Sequence, residues 1–577
     1  MKKRSTAVHV VTTRRQYKGK VYKAHLLRRS YREDGKVKNE TLANLSHLPA
    51  HVIELVRRAL RGESFVAAAE LFDIVRSPHH GHVQAVRLAM KRLGFAGLLH
   101  SRKSRARDLV EAMVAARVLE PQSKLATTRW WHTTTLPSVL GVEDATEDEL
   151  YAAMDWLLGR QEAIEAKLAH RHLEPGGHVL YDLTSSYFEG THCPLAERGH
   201  NRDEKKGKLQ VNYGLVANRA GCPVAVSVHK GSTGDPKTLL PMVERLRNRF
   251  GVVRMVLVGD RGMISQKQID VLRQSEGLGW ITALRTATLH KLVASGPLQM
   301  GLFDDINIFE FTHPDFPDER LVACFNPELA ALRVHKREDL LRATEKELDK
   351  VRGMVDRGRI RDPDKIGLRV GKVINKYKVG KHFDPQIAEG SFSYGRKEGQ
   401  IEAEAALDGV YVIRTSEKKA SMPRDEVVRS YKDLSQVERA FRTLKTVGLL
   451  VRPIRHWTES RVRAHIFLCM LAYYVQWHMQ EAWRELLFFD EDQEARRSRD
   501  PVAPAKRSAK ALRKVRTRTL DDGSQAHSFR TLLSELSTIV ANECRPKSSS
   551  EEATFLLHTT PSPEQSRALE LLDEIEV

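Results

Sequence analysis

The sequence feature that most constrains the fold is a continuous apolar run that ends in an acidic residue. Between Val253 and Gly259 five of the seven residues are apolar, and Asp260 follows them directly. A run without polar alternation is typical of a strand that is covered on both faces, as in the parallel part of an α/β sheet. Ligands bind at the carboxyl ends of such strands. The run therefore predicts a buried strand of an α/β protein and places Asp260 where a binding site would form.

Strand and helix patterns alternate around this run. Pro175, Gly176 and Gly177 end a helical region, and strand-type patterns begin after them. We predict strands at 178–188, 209–217, 223–230 and 279–284, and helices at 236–250 and 264–276. Together with the apolar run, the order β-β-β-α-β-α is that of a ribonuclease H-like core. Order alone does not establish a function.

The charge balance indicates a polyanionic partner. Lys and Arg number 94 against 74 Asp and Glu, so the net charge is +20. Neutralising phosphates releases counterions, and a basic excess of this size therefore favours nucleic acid over the alternative of a merely basic enzyme. The longest apolar stretch, from His465 to Trp477, is shorter than the roughly 20 residues that cross a bilayer, so no membrane partner is expected.

The cysteines argue against two other classes of protein. There are five, at scattered positions, and none has the CxxC spacing of a zinc knuckle or the pattern of a disulfide framework. The basic N-terminus is not followed by the apolar segment of a secretory signal. A reducing, cytoplasmic location is the expectation.

Periodicity and composition divide the chain around the core. One helix is predicted from Asp425 to Thr446, a turn at Asp34 and Gly35, and a flexible linker from 496 to 518, where ten residues are basic. The predicted segments are an N-terminal β module with a linker (1–75), a helical DNA-binding region (76–175), the first part of the catalytic core (176–285), a β-rich insertion (286–425), the second part of the core (426–490), and a basic linker with a C-terminal tail (491–577).

Two aspartates in this core are candidates for chemistry. Asp182 lies within an apolar strand, where a carboxylate must be paired, hydrogen-bonded or bound to metal, because an isolated buried charge costs several kcal/mol. Asp260 follows the apolar run and is flanked by Gly259 and Gly262. Each could instead be a cap or turn aspartate, and either residue taken alone leaves both interpretations open.

A third acid, Glu438, lies on the predicted helix. At about 100° per residue, one narrow face carries this carboxylate beside cations, and the adjacent face is apolar. We therefore expect the first face to be exposed. The alternative is an ordinary amphipathic helix with surface ion pairs. The first face holds Tyr431, Glu438, Arg442 and Lys445, and the apolar face holds Leu434, Val437, Phe441 and Leu444.

Taken together, the three acids form a coherent metal site. Hard oxygen ligands suit Mg²⁺ or Mn²⁺. Two such ions, roughly 3.5–4 Å apart, activate an attacking oxygen and stabilise a leaving oxygen in an in-line displacement. The acids Asp182, Asp260 and Glu438 therefore predict a two-ion site for phosphodiester chemistry.

Several blocks resemble the DDE transposases of bacterial insertion sequences, in the subgroup with a large insertion before the catalytic glutamate. The resemblance extends from the N-terminal β module to about Trp483. It rests on Tyr181–Gly190, Gly259–Met263 and Tyr431–Lys445, and also takes in Gly199–Asp203 with Lys208 and Gln210, Gly231–Asp235, and Arg463–Phe467.

The resemblance implies roles for individual residues. The acids Asp182, Asp260 and Glu438 match the catalytic, metal-binding triad. Tyr431, Glu438 and Lys445 match three positions of the subgroup's Tyr-Arg-Glu-Lys signature, whereas Leu434 stands where the arginine is expected. Arg442, or alternatively Arg439, is the candidate to replace that arginine. The expected DNA-binding residues are Tyr431, Arg442, Lys445, Arg261 and Lys208.

The resemblance also implies an activity. A protein of this kind binds the terminal inverted repeats of its own insertion sequence, cleaves the ends with divalent metal and joins them to target DNA by cut-and-paste transposition. Double-stranded DNA would be the partner, bound by a homodimer or a higher multimer. The alternatives are a ribonuclease H-like nuclease without strand transfer and a catalytically inactive DNA-binding relic.

Overall fold

The computed structural model describes residues 7–576 apart from 34, 64, 66–70, 206, 295–306, 447, 493–498, 504–505 and 548–553. The predicted turn residue Asp34 lies outside the described residues. Contacts divide the chain into two units, which we describe separately. The first unit comprises 1–77 and 541–558, and the second comprises 78–540 and 559–577.

The strands of both units are numbered in chain order. They are β1 (Ala7–Tyr17), β2 (Lys20–Glu33), β3 (Lys36–Asn44), β4 (Phe72–Arg76), β5 (His178–Tyr187), β6 (Gln210–Asn218), β7 (Pro223–Lys230), β8 (Met255–Val258), β9 (Leu278–Ala283), β10 (Ile308–Phe311), β11 (Arg320–Phe325), β12 (Phe383–Ala388), β13 (Ser391–Arg396), β14 (Val410–Thr415), β15 (Ala541–Pro546) and β16 (Phe555–His558).

The α-helices are numbered in the same way. They are α1 (Ala50–Leu60), α2 (Gly81–Arg92), α3 (Phe95–Leu99), α4 (Arg105–Leu119), α5 (Lys124–Trp130), α6 (Leu136–Leu140), α7 (Glu147–Leu158), α8 (Gln161–His172), α9 (Pro236–Asn248), α10 (Gln266–Arg273), α11 (Thr286–Ala294), α12 (Pro327–Asp356), α13 (Pro363–Ile374), α14 (Glu398–Ala405), α15 (Arg424–Lys432), α16 (Leu434–Lys445), α17 (Glu459–Ala482), α18 (Ala509–Thr517), α19 (Phe529–Leu536) and α20 (Pro563–Asp573).

The first unit contains two antiparallel sheets. Strands β1, β2 and β3 pair in sequence order, followed by α1. In the other sheet β15 pairs with both β4 and β16, so residues near the C-terminus join a strand from the first eighty residues. Side chains on β3 are exposed along the whole strand, whereas α1 packs against β1.

The second unit is built on an eight-stranded mixed sheet of order β10-β11-β14-β9-β8-β5-β6-β7. Strand β8 runs parallel to β5 and β9, and the remaining neighbours are antiparallel. Every residue of β8 is buried, as its unbroken apolar pattern predicts. The predicted strands at 178–188, 209–217, 223–230, 253–260 and 279–284 are confirmed, with small shifts at their ends.

Helices cover this sheet and connect it to the helical region before it. Helix α17 is apolar on nearly all sides and packs against β7, α4, α7 and α16. A helix that is apolar all round belongs inside a large core. Among the described residues, no helix is long and apolar enough to cross a membrane.

The segment predicted as an insertion contributes to two bodies of structure. Strands β10, β11 and β14 extend the central sheet beyond β9. Between β11 and β14, helices α12 and α13 pack with the hairpin β12–β13 around a separate core that includes Leu348, Ile366 and Phe383. The domain boundaries inferred from the sequence stay predictions.

Two expectations about helices were wrong. The single helix expected from Asp425 to Thr446 is two helices, α15 and α16, because the N–H of Gln436 donates to Asp433 O (2.8 Å), a tighter i to i+3 bond at the junction. The expected flexible linker contains α18, whose Lys514 is buried with its Nζ donating to Glu485 O (2.9 Å) and Leu487 O (3.0 Å). A basic composition therefore does not prevent this segment from forming a helix with a buried lysine.

Candidate active site

Asp182 and Asp260 occupy equivalent levels on neighbouring parallel strands. Strand β5 pairs with β8 so that Leu180 lies opposite Val258, and each aspartate follows its strand's paired residue by two positions. Neighbouring strands lie about 4.8 Å apart. The two side chains therefore leave the backbone side by side at the carboxyl end of the parallel part of the sheet.

The charge of Asp182 depends on this neighbour. Burial raises the pKa of the Asp182 carboxyl to about 7, and the negative charge of Asp260 adds to the rise. A hydrogen bond from the N–H of Leu183 to Oδ1 (2.7 Å) and the nearby Arg202 act in the opposite direction. Both the neutral and the charged form of this carboxyl are therefore populated near neutral pH, and a bound cation would stabilise the charged form.

Asp260 has one oxygen committed to the backbone. Oδ1 accepts hydrogen bonds from the N–H groups of Gly262 (3.0 Å) and Met263 (2.7 Å). Asp260 therefore also stabilises a turn, which is the alternative role that the sequence allowed. Oδ2 accepts no hydrogen bond from the part of the chain that the structure describes. A Cβ at Gly262 would lie 3.3 Å from Oδ1 and 3.4 Å from Oδ2. The turn therefore orients the carboxylate, and the glycine leaves room beside it.

Helices α15 and α16 bring the third acid to the same side of the sheet. Burial raises the pKa of the Tyr431 phenol to about 12, and the charges of Asp260, Glu438 and Asp182 each raise it further, while Arg261 lowers it. One side chain thus lies within electrostatic reach of all three carboxylates. Glu438 is exposed on α16, where a substrate could reach it.

The three carboxylates lie near one phenol but do not form a tight cluster. Among the described residues, one group of three potential metal ligands has donor atoms within 4.8 Å of one another, and it lies elsewhere in the second unit. The oxygens of Asp182, Asp260 and Glu438 are therefore spread more widely than this.

The side chain of Lys445 is largely buried, although the sequence predicted that it would be exposed. Its side chain is only 10% exposed, and Nζ donates to Oδ1 of Asp203 (2.9 Å), which also pairs with Arg452 (2.6 Å). The other Asp203 oxygen accepts the N–H of Tyr187 (3.0 Å) at the end of β5. The prediction of an exposed Lys445 is wrong, because a helical wheel shows neighbours on one helix and not a loop folded against it.

This contact gives a first prediction. We expect Lys445→Ala to lower the free energy of unfolding by about 1–3 kcal/mol, because it leaves the buried Asp203 with one cation fewer. Arg442→Ala, on the exposed side of the same helix, should leave the melting temperature unchanged. Thermal unfolding of the wild type and both variants measures these differences in stability. Equal melting temperatures would show that the Lys445 contact contributes nothing to stability.

The block Gly231–Asp235 packs against Gly199 and β6. A Cβ at Gly199 would lie 1.9 Å from Gly231 O, and a Cβ at Gly231 would lie 2.2 Å from Gln210 O. The Gln210 amide donates to the carbonyls of His200 and Gly231 (both 3.0 Å). Glycine is needed at both positions because the two backbone segments are in direct contact, and the loop is held against β6.

A second prediction follows from this close approach. Gly231→Ala should destabilise the protein by at least about 1–3 kcal/mol, the usual cost of overpacking, because the new methyl meets rigid carbonyl oxygens. Gly234→Ala is the matched control, since a Cβ there meets nothing within 4 Å. Chemical denaturation of both proteins measures the difference. A Gly231→Ala protein as stable as the control would contradict the packing described.

The other predicted DNA-binding residues differ in exposure. Arg261, Lys208 and Arg442 are exposed. Arg261 also donates to Thr286 Oγ1 (3.4 Å). Leu434 stands at the position of the expected arginine and packs against the hydrophobic core, so this position offers no phosphate contact.

Some residues beside the acids received no role from the sequence. Arg202 pairs with Asp235 (2.5 Å), and both act electrostatically on Asp182. Asp203 and Arg452 complete the cluster around Lys445. The charged residues of the blocks Gly199–Asp203 and Gly231–Asp235 were visible in the sequence. A periodic pattern does not show, however, which segments contact one another in the fold.

An α/β sheet that carries acids at the carboxyl ends of adjacent parallel strands is typical of a protein that binds a ligand there. Comparison with known families identifies it further. A family model for the transposase DDE domain matches residues 175–475, slightly more than half of the chain. A model for the N-terminal domain of IS1634 family transposases matches residues 10–70. The chain belongs to the DDE transposase family, and the protein is a DNA transposase of the insertion-sequence type.

Comparison with solved structures adds one distant likeness. A piggyBac transposase synaptic complex with hairpin DNA covers 79% of this chain and 76% of its own, with 10% sequence identity and a TM-score of 0.34. A similarity this low supports no statement about the present chain. No curated protein matches the sequence.

Proposed function

We propose that Asp182, Asp260 and Glu438 bind two divalent metal ions, Mg²⁺ or Mn²⁺, and with them cleave and rejoin DNA at the ends of an insertion sequence. The observation that carries the proposal is the strand register that places Asp182 beside Asp260, combined with the effect of all three acids on the pKa of the Tyr431 phenol. The strand arrangement around them is consistent with a ribonuclease H-like core.

The donor atoms fit such ions. All are carboxylate oxygens, which hard divalent cations prefer. Asp260 Oδ1 accepts the backbone hydrogen bonds, and Oδ2 accepts none from the described residues, so Oδ2 can bind a cation. When bound, the ions activate the attacking oxygen and stabilise the leaving oxygen.

The chain's own groups prepare this chemistry. Asp182 gives up its proton to solvent as it takes a cation, and the turn at Gly262 and Met263 holds Asp260 in one orientation. Burial raises the pKa of the Tyr431 phenol to about 12, so it stays protonated at neutral pH. The exposed Arg261 and Arg442 would meet the phosphate backbone.

The reaction would proceed in two displacements. Water attacks the phosphodiester at the element end, the bond to the 3′ oxygen breaks, and a free 3′-hydroxyl results. That hydroxyl then attacks a target phosphodiester and displaces its 3′ oxygen. The first step consumes one phosphodiester bond and the second exchanges one for another, so the second step needs no further energy source. We expect two or more copies of the chain to hold the two ends.

DNA binding is proposed for several surfaces. In the helical region 76–175, the exposed basic residues Lys91, Arg102, Lys103 and Arg129 offer phosphate contacts. Beside the acids, Lys208, Arg261 and Arg442 do so, and Tyr431 and Lys445 complete the predicted set. Lys445 would have to leave Asp203 to reach a phosphate.

A third prediction concerns salt. The logarithm of DNA affinity should fall linearly with the logarithm of salt concentration, by about 0.9 for each phosphate contact. For six or more contacts, affinity should fall on the order of 10³-fold between about 50 and 200 mM salt. Fluorescence anisotropy with a labelled duplex measures the slope. An unchanged affinity would argue against a phosphate-binding surface.

One experiment tests the function against its alternatives. The purified full chain is incubated with Mg²⁺, a duplex containing the element end from the flanking DNA, and a target plasmid. Cleavage at the end followed by joining to the plasmid is the expected result. Cleavage without joining would favour the nuclease, and binding without cleavage would favour the inactive relic.

A further inference from the structure

Three side chains that can bind a metal ion converge in the core of the second unit, apart from the acids. His172 ends α8, Cys222 lies in the turn between β6 and β7, and His478 lies on α17. Their donor atoms all lie within 4.8 Å of one another, the one such group of three among the residues that the structure describes. Cys222 and His478 are buried, and His172 is half-buried.

The spacing fits a tetrahedral ion. Cys222 Sγ lies 3.8 Å from His478 Nε2. With zinc–sulfur and zinc–nitrogen bonds of about 2.3 and 2.0–2.1 Å, two ligands at a tetrahedral angle lie about 3.6 Å apart. The Tyr474 hydroxyl lies 3.1 Å from His172 Nε2, close enough to orient that ring as a hydrogen-bonding neighbour. Little movement is needed to accommodate a cation.

The charges around this group are of both signs. Arg171 and Glu481 are the charged residues that act on these side chains. A metal ion binds the neutral form of a histidine and the thiolate of a cysteine.

A second cysteine provides a contrast within the same helix. Cys469 Sγ lies 3.9 Å from His465 Nε2, and the His456 ring lies 4.9 Å from the His465 ring. Arg117 acts on this second group with positive charge, and so does Lys124 in its protonated form. Burial lowers the pKa of Lys124 to about 7, so the buried Arg117 is the permanent cation of the two. A buried cation repels a metal ion, so the second group has similar ligands in an unfavourable field.

We propose that His172, Cys222 and His478 bind a Zn²⁺ ion that fastens α8 and α17 to the turn between β6 and β7. On binding, the Sγ–H bond of Cys222 breaks, a sulfur–zinc bond forms, and the proton leaves to solvent. Water takes the fourth position. The ion joins the end of the helical region to β6, the partner of the strand that carries Asp182. This site is separate from the oxygen ligands proposed for catalysis.

The test uses the purified full chain and does not depend on DNA cleavage. Zinc is measured by mass spectrometry after dialysis, and the metal-free protein is then titrated with Co²⁺, which gives a near-ultraviolet charge-transfer band only when bound by thiolate. We expect about one zinc ion per chain and a clear band. Cys222→Ser should lose both, and Cys469→Ser should keep both.

Two outcomes would overturn the proposal. One is wild-type protein that holds no zinc and gives no band with Co²⁺. The other is a band that Cys469→Ser abolishes as fully as Cys222→Ser does. If Cys222→Ser does not fold, His172→Gln replaces it, because His172 is only half-buried and its loss removes one ligand while leaving the thiol. Retention of full zinc content in that variant would also contradict the site.

Discussion

Asp260→Asn should abolish DNA cleavage and strand transfer while leaving the fold and DNA binding intact. The amide oxygen can still accept the N–H groups of Gly262 and Met263, so the turn survives. The charge that would hold a divalent cation is lost. Removing one member of a catalytic set that acts as a unit lowers the rate on the order of 10³-fold or more. Cleavage of a labelled element end, measured beside anisotropy with the same duplex, separates catalysis from binding.

A matched control lies close by in the sequence. Asp270 is an exposed acid on α10, and Asp270→Asn changes net charge by the same amount without touching the site. We expect this control to cleave DNA at the wild-type rate. Undiminished cleavage by Asp260→Asn would remove this aspartate from the site, whereas equal loss in both variants would point to a general effect of charge.

Asp182→Asn should make the metal-free protein more stable at alkaline pH. The folded protein holds the pKa of Asp182 at about 7, above its ordinary value of 3.8, so the folded state binds the proton more tightly than the unfolded state does. Stability therefore falls as pH rises through the window between those two values. At about 1.4 kcal/mol per pKa unit, the cost reaches up to about 4 kcal/mol at pH 8, less what solvent screening removes.

Two comparisons check this prediction. Wild type and Asp182→Asn should have similar melting temperatures below about pH 3, where the carboxyl is mostly protonated in both states, and should diverge by pH 8. Added Mn²⁺ should then raise the melting temperature of the wild type at pH 8 but not that of the variant, because a bound ligand stabilises only a state that can hold it. A variant less stable than the wild type at pH 8 but not at acid pH would show that the charged form of Asp182 is stabilising, and would contradict the prediction.

Both predictions start from residues that could be identified without coordinates. An unbroken apolar run predicted β8 and its aspartate, and strand patterns predicted β5, β6, β7 and β9 to within a few residues. These features are local, since burial of both faces of a strand and the 3.6-residue period of a helix are visible in neighbouring residues. The resemblance of three short blocks then indicated the family, which the family comparison confirmed.

Other features were not accessible from the sequence because they join residues far apart in it. The pairing of β15 with β4, the burial of Lys445 against Asp203, and the meeting of His172, Cys222 and His478 each depend on how finished elements pack. Local patterns show which face of an element is apolar, but not which partner covers it. Sequence alone therefore determined the strands and the family and proposed the three acids, whereas tertiary packing decided which charges are buried and which side chains lie together.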